Sequence, residues 1–243
     1  MSRLLISLVL AFAALSASAQ TDYKQTASKA SRFFAGREWA SAQALYGLIL
    51  DKHPDADSVY VRAIISASML GDTIGASHLL EQAMNAGVGF SSLMSGVKSE
   101  SFEIGEAEVY EAFLLRSQRD CPWLERAIDA ELLDYYCFRD DGVKMVAYAR
   151  KMLAGLPDST IYLSVLARGY ARCGDFDNAL GVWRRIIELD PDNYDALLSL
   201  GNYFDIKGRQ AEAADYLARA QRIKPTPYVA ARLEALCRDG KKR

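Results

Sequence analysis

Three of the chain's six prolines, Pro157, Pro191 and Pro225, are evenly spaced, and the residues between them recur in the same register. From the second to the third the chain reads Leu197, Leu200, Gly201, Phe204, Gly208, Ala213, Leu217 and Ala220; from the first to the second it reads Leu163, Leu166, Ala167, Tyr170, Gly174, Ala179, Trp183 and Ile186. A fixed period of this length means that one supersecondary unit is copied, and that each copy buries its apolar face against the next. Within a unit the apolar spacing is that of two amphipathic helices. Gly174 and Gly208 end the first helix, because a left-handed C-cap costs glycine little. Proline stops the second helix, and Asp192 and Asn193 offer N-cap oxygens to the one that follows.

The small residues set how closely the two helices of a unit approach. Ala167 and Gly201 allow a tight antiparallel contact, Tyr170 and Phe204 fill the space beside it, and Ala179 and Ala213 are the matching small residues on the second helix. With this pattern of a small residue, an aromatic, an alanine and a closing proline, the chain resembles the tetratricopeptide repeat family. The resemblance implies an all-α fold, a solenoid of helix pairs closed by a C-terminal capping helix.

The template also carries back toward the N-terminus. Ala30, Phe33, Gly36, Ala42, Tyr46, Ile49 and Pro54 make a first unit in which Gly36 arrives one residue early. Gly71, Ala76, Leu80 and Ala83 make a second, which loses the small-then-aromatic pair at Ile64 and Ala67. Upstream of Pro157, Leu133, Tyr136, Met145 and Met152 mark a degenerate unit with methionines in place of alanines. Between Gly87 and Glu106, four glycines mingle with five serines, a composition that reads as loop. The expected layout is therefore an N-terminal lobe of about two pairs over 20–90, an irregular or degenerate segment over 91–122, three pairs over 123–227, and a capping helix with a basic tail over 228–243.

Residues 1–19 have the three-part form of an export signal: Arg3, the apolar run from Leu4 to Leu15, then small residues to Ala19. The apolar run is too short to span a bilayer. Gln20, not cysteine, follows the expected cut, so the reading is a soluble exported protein, periplasmic or secreted, without stable membrane insertion. Arg3 is the single charged residue removed, leaving 28 cationic against 31 anionic residues, a net charge of −3 that gives no support for a nucleic-acid partner.

A search for chemistry returns little. Cys121, Cys137, Cys173 and Cys237 match no metal spacing, and His53 and His78 have no second ligand at helical distance. No serine elbow, phosphate loop or HExxH zinc motif occurs. Asp140 and Asp141 could be paired carboxylates, but an N-cap before a helix from about Val143 accounts for them. Gly142, Gly155 and Gly169 complete no dinucleotide fingerprint. The expectation is a protein that is not an enzyme and uses no cofactor.

What remains is a binding surface. In the family the chain resembles, first helices line a concave face where partners dock; here that face would present Phe34, Val61, Ile65 and Met69 in the N-terminal lobe and Arg168, Arg172, Asn202 and Asp205 in the C-terminal one. The expected function is a scaffold or adaptor that holds a peptide or helix of a partner protein there; the alternative is a structural subunit of an envelope complex, assembling through its ends or convex face. Arg168 and Arg172 share a helix face, and Asn202 takes in the next unit the place that Arg168 holds in its own, so together they could receive a carboxylate. Such a set resembles the carboxylate clamp of some peptide-binding tetratricopeptide proteins, though the preceding unit offers Asp134 and Cys137 where a lysine and an asparagine would be expected. The competing account has the arginines satisfied within the chain by Asp134 or Asp205.

Overall fold

The computed structural model describes residues 22–240, so the expected export signal at 1–19 and the last three residues of the basic tail lie outside the described residues. Among the described residues there are thirteen α-helices and no strand. In chain order they are α1 (22–35), α2 (Trp39–Lys52), α3 (Asp57–Met69), α4 (Thr73–Asn85), α5 (Phe90–Glu103), α6 (Ala107–Asp120), α7 (Glu125–Arg139), α8 (Gly142–Gly155), α9 (Thr160–Arg172), α10 (Phe176–Leu189), α11 (Tyr194–Ile206), α12 (Gln210–Ile223) and α13 (Pro227–Gly240). A 3-10 turn, Pro122–Leu124, leads into α7. The chain divides into two compact units between Ile128 and Asp129.

The turn inside each helix pair shows why the period holds. A left-handed residue sits at Arg37, Gly71, Gly105, Asp140, Gly174 and Gly208, that is, at equal steps but for one extra residue before Asp140. Each of these ends the first helix of a pair by turning the chain so that the second can run back against it. Glycine takes this conformation freely, whereas Arg37 and Asp140 take it at a cost. Arg37 recovers contacts elsewhere: its guanidinium donates to Glu106 at 3.2 Å and to the carbonyl of Ile104 at 2.8 Å. Asp140 pairs with Arg172 at 2.8 Å. The early Gly36 of the first unit is thus not the turn residue; Arg37 beside it is.

The glycine- and serine-rich stretch read above as loop is helical, so of the two readings of 91–122, irregular or degenerate, the described residues carry a helix pair that lacks the repeat signature. Helix α5 runs through Ser91, Ser92, Ser95, Gly96 and Ser99, and α6 follows. Leu93, Met94 and Val97 of α5, and Tyr110, Phe113 and Leu114 of α6, supply a buried apolar face that outweighs poor intrinsic helix propensity. Gly96 also has a packing role, since a Cβ there would lie 2.7 Å from Cγ2 of Val61 on α3. In the first unit α3 packs against α2, α4, α5 and α6.

In the second unit Asp141 and Asn193 form the expected N-caps, and Asp175 forms a further one. Asp141 accepts from the Lys144 amide at 3.1 Å, Asp175 from Asn178 at 3.3 Å and Asn193 from Ala196 at 3.1 Å. Each such cap contributes on the order of 1 kcal/mol. The core threads Leu166, Tyr170, Trp183, Leu200, Phe204 and Leu217, with Phe204 stacked on Tyr216 at 5.6 Å between ring centroids. Helix α13 closes this core with Val229 and Leu236, so the apolar side of the last pair is covered.

Candidate functional site

The residues singled out for the N-terminal face divide into core and surface. Phe34 is 4 % exposed and packs edge-on to Trp39 and Tyr46, with the Arg62 guanidinium over its ring, so it is a core residue and not a docking residue. Ile65 is fully buried, because α5 approaches α3 closely at Gly96 and covers that face. Both are corrections. Val61 and Met69 are half-buried, and Val61 lines a hollow of the first unit together with Arg62 and Glu100.

In the second unit the four named residues are at the surface of the first helices, and each has a partner within the chain. Arg172 pairs with Asp140 at 2.8 Å. Arg168 donates to the Cys137 carbonyl at 3.3 Å, a long bond that uses one of its five N–H groups. Asn202 accepts from the Tyr228 hydroxyl at 3.1 Å through Oδ1, which leaves Nδ2 as its remaining donor. Asp205 pairs with Arg232. Asp140 and a carbonyl compensate the two stacked arginines, and Asp205 is engaged by Arg232. The capping helix α13 supplies the partners of the other two residues.

Between α9 and α11, with α10 beneath, the chain forms a groove. It consists of two adjoining hollows of about 400 and 550 Å³ that share Trp183 and Ser199. The smaller is polar at its edges, with Ser164 and Arg168 on one wall and Asp195 on the other. Arg168 and Lys207 meet no carboxylate, and Asp195 no cation, among the described residues. The larger hollow is apolar: Phe176 at 45 % and Ile206 at 80 % exposure flank Trp183 and Tyr203. Lys207 lies over the Tyr203 ring, 5.5 Å from its centroid. Large apolar side chains this exposed beside a concave aromatic floor are what a partner's apolar anchor fills.

Sequence reasoning placed Arg168 and Asn202 on this groove and missed Phe176, Trp183, Tyr203, Ile206 and Lys207. One signal was present. Ile206 lies one helical turn beyond Asn202 and holds in its unit the place that Arg172 holds in the unit before, so the surface face that carries charge in one unit carries a bare isoleucine in the next.

Two thiols, Cys121 and Cys137, are shifted away from activation. Cys121 is buried, and desolvation, reinforced by Glu81 and Asp120, pushes its pKa up. Burial likewise raises the pKa of the Cys137 thiol, against the pull of Arg168. A nucleophilic cysteine needs the opposite shift. Asp141 caps α8, and Gly142 and Gly169 have a packing reason for lacking side chains, since a Cβ on Gly142 would lie 2.9 Å from the Gly169 carbonyl. No group of three or more His, Cys, Asp or Glu residues able to hold a metal occurs among the described residues, and no described helix is long and apolar enough to cross a membrane.

Comparison with known proteins bears on the fold of the chain. The family model for the tetratricopeptide repeat matches residues 165–226, the span that contains α10, α11 and α12. A stretch of 58 residues is 40 % identical to cellulose synthase operon protein C of Pseudomonas fluorescens (strain SBW25); it covers 24 % of this chain and 4 % of that protein. Among solved structures, PilW, described as a widely conserved type IV pilus biogenesis factor, aligns with a TM-score of 0.50 at 15 % identity, over 88 % of this chain and 98 % of its own. A MamA structure aligns with a TM-score of 0.48 at 20 % identity, over 68 % of this chain and 95 % of its own.

Proposed function

We propose that this tetratricopeptide-repeat protein is a non-catalytic scaffold that holds a peptide or helix of a partner protein in the groove between α9 and α11. The observation that carries the reading is the larger hollow, where Phe176 and Ile206 stand exposed on either side of Trp183 and Tyr203. An apolar anchor of the partner fills it, while Ser199, Asn202 and Arg168 direct donors at carbonyl or carboxylate oxygens along the same groove. The signal-like form of residues 1–19 supports export, with the scaffold acting in the periplasm or outside the cell.

The test is capture of partners from envelope extracts by the full chain and by an Ile206→Glu, Phe176→Ser variant. Both sites are exposed, so the variant should melt within about 0.5 kcal/mol of the parent. Burying the new glutamate against an apolar anchor should lower the yield of a specific partner by about tenfold or more. A partner retained undiminished by this variant, within a stable multi-subunit assembly, would instead make the chain a structural subunit that assembles through other surfaces.

A further inference from the structure

The groove between α9 and α11 carries three charges that no opposite charge among the described residues answers, and their order along it describes the occupant. Asp195 stands in the first turn of α11 and Lys207 caps its other end, about 18 Å away along the axis. Arg168, on α9, is level with Asn202, its equivalent one period later, and therefore lies between the two, nearer Lys207. All three side chains are exposed. Arg168 spends one N–H on the Cys137 carbonyl and keeps four.

Asp195 and Lys207 each complement the end of the helix dipole on which they stand, which accounts for their signs on α11. It does not account for Arg168, a full turn before the end of α9, nor for where the apolar hollow lies. Tyr203 and Ile206, which wall that hollow, fall between the level of Arg168 and Lys207. A guanidinium thus stands on one side of the apolar pocket and an ammonium, held over the Tyr203 ring, on the other. The smaller hollow adds a hydroxyl on each wall, from Ser164 and Ser199. A helical partner has its backbone groups bonded internally and would bury these hydroxyls against side chains, whereas an extended one brings main-chain N–H and C=O groups to them.

We infer that the occupant of the groove is an extended acidic segment of the partner: an apolar side chain fills the larger hollow, a side-chain carboxylate on each side of it meets Arg168 or Lys207, and a cation farther along meets Asp195. At about 3.3 Å per residue, the neighbours of the apolar residue on both sides are within reach of the two cations, and a residue about four positions away is level with Asp195. The carboxylates belong to side chains and not to a chain end, because a chain end supplies one carboxylate and two cations flank the pocket. A basic segment would meet Arg168 and Lys207 with its own sign and is rejected. The inference rests on the groove reading and names the chemistry of what the groove holds.

The test is a calorimetric titration of the full chain with two blocked pentapeptides, acetyl-Glu-Glu-Phe-Glu-Glu-amide and its counterpart acetyl-Gln-Gln-Phe-Gln-Gln-amide. The acidic peptide should bind about tenfold more tightly, as two solvent-exposed ion pairs imply, and added salt should shrink that advantage. Arg168→Gln combined with Lys207→Gln should bring the two peptides to equal affinity, while Ile206→Ser should weaken both. Extending the acidic peptide with glycine and then lysine should raise its affinity at one end and not at the other, and Asp195→Asn should abolish the gain. Equal binding of the two pentapeptides to the parent chain, with both weakened by Ile206→Ser, overturns the inference and leaves the groove reading standing. An advantage of the acidic peptide that survives the double glutamine variant overturns it as well. A gain from lysine at both ends or at neither overturns the assignment of Asp195. Saturable binding of neither peptide also overturns the inference; the groove reading is judged separately, by partner capture from extracts, which does not depend on these peptides.

Discussion

Gly201 and Gly181 lie in neighbouring helices and lack side chains for opposite reasons. A Cβ on Gly201 would come within 2.6 Å of Cγ of Leu217 and 3.3 Å of the Leu217 amide nitrogen, whereas one on Gly181 would meet nothing within 4 Å. Gly201→Ala should therefore destabilise the chain by about 1–3 kcal/mol through overpacking. Gly181→Ala, inside α10, should stabilise it by about 0.5–1 kcal/mol through helix propensity. Thermal melts of the two variants should move in opposite directions. The close approach at Gly201 was legible in the sequence because its register equivalent is Ala167, a second small residue at the same point of the period. Phe34 and Ile65 were misread because periodicity reports which side of its own pair a residue faces. For Ile65 it does not report how closely the next pair approaches, which depends on Gly96 admitting α5 against Val61, and for Phe34 it does not report that Trp39 and Tyr46 of its own pair close over the ring.

At the scale of single elements, α5 and α6 show what the period concealed. Composition alone made 91–105 look like a loop, yet Gly105 falls one full period after Gly71 and two after Arg37. The sequence carried the mark; an arginine in the first left-handed position and an aspartate in the fourth made it hard to see. These helices also bury two hydroxyls without partners among the described residues, Ser101 on α5 and Ser117 on α6. In most contexts a buried serine returns its proton to a carbonyl one turn back, as Ser66 does to Arg62 at 2.7 Å. Ser101→Ala and Ser117→Ala should each stabilise the chain, by about 1 kcal/mol, because they remove a desolvated group that forms no bond. Denaturant midpoints would show the gain, and a loss in both variants would mean that these hydroxyls are bonded after all.

At the scale of the whole molecule, one period yields two units with different surfaces. The second follows the template closely, so its core, caps and closing helix were readable from proline, glycine and alanine positions. Its groove was only half readable, because the charged residues that attract attention in a sequence, Arg172 and Asp205, are neutralised by Asp140 and Arg232. The apolar residues left to act on a partner beside Arg168 and Asn202 are Ile206 and Phe176, which no motif records. The central claim, that a partner lies in the α9–α11 groove, is tested most directly by site-specific photocrosslinking in envelope extracts. The photoreactive group would be placed at Ile206, or at Glu188 on the second helix of the preceding pair, whose side chain is 63 % exposed. The account predicts a discrete crosslinked partner from position 206 and none from 188; crosslinking from 188 alone, with position 206 silent, would contradict it.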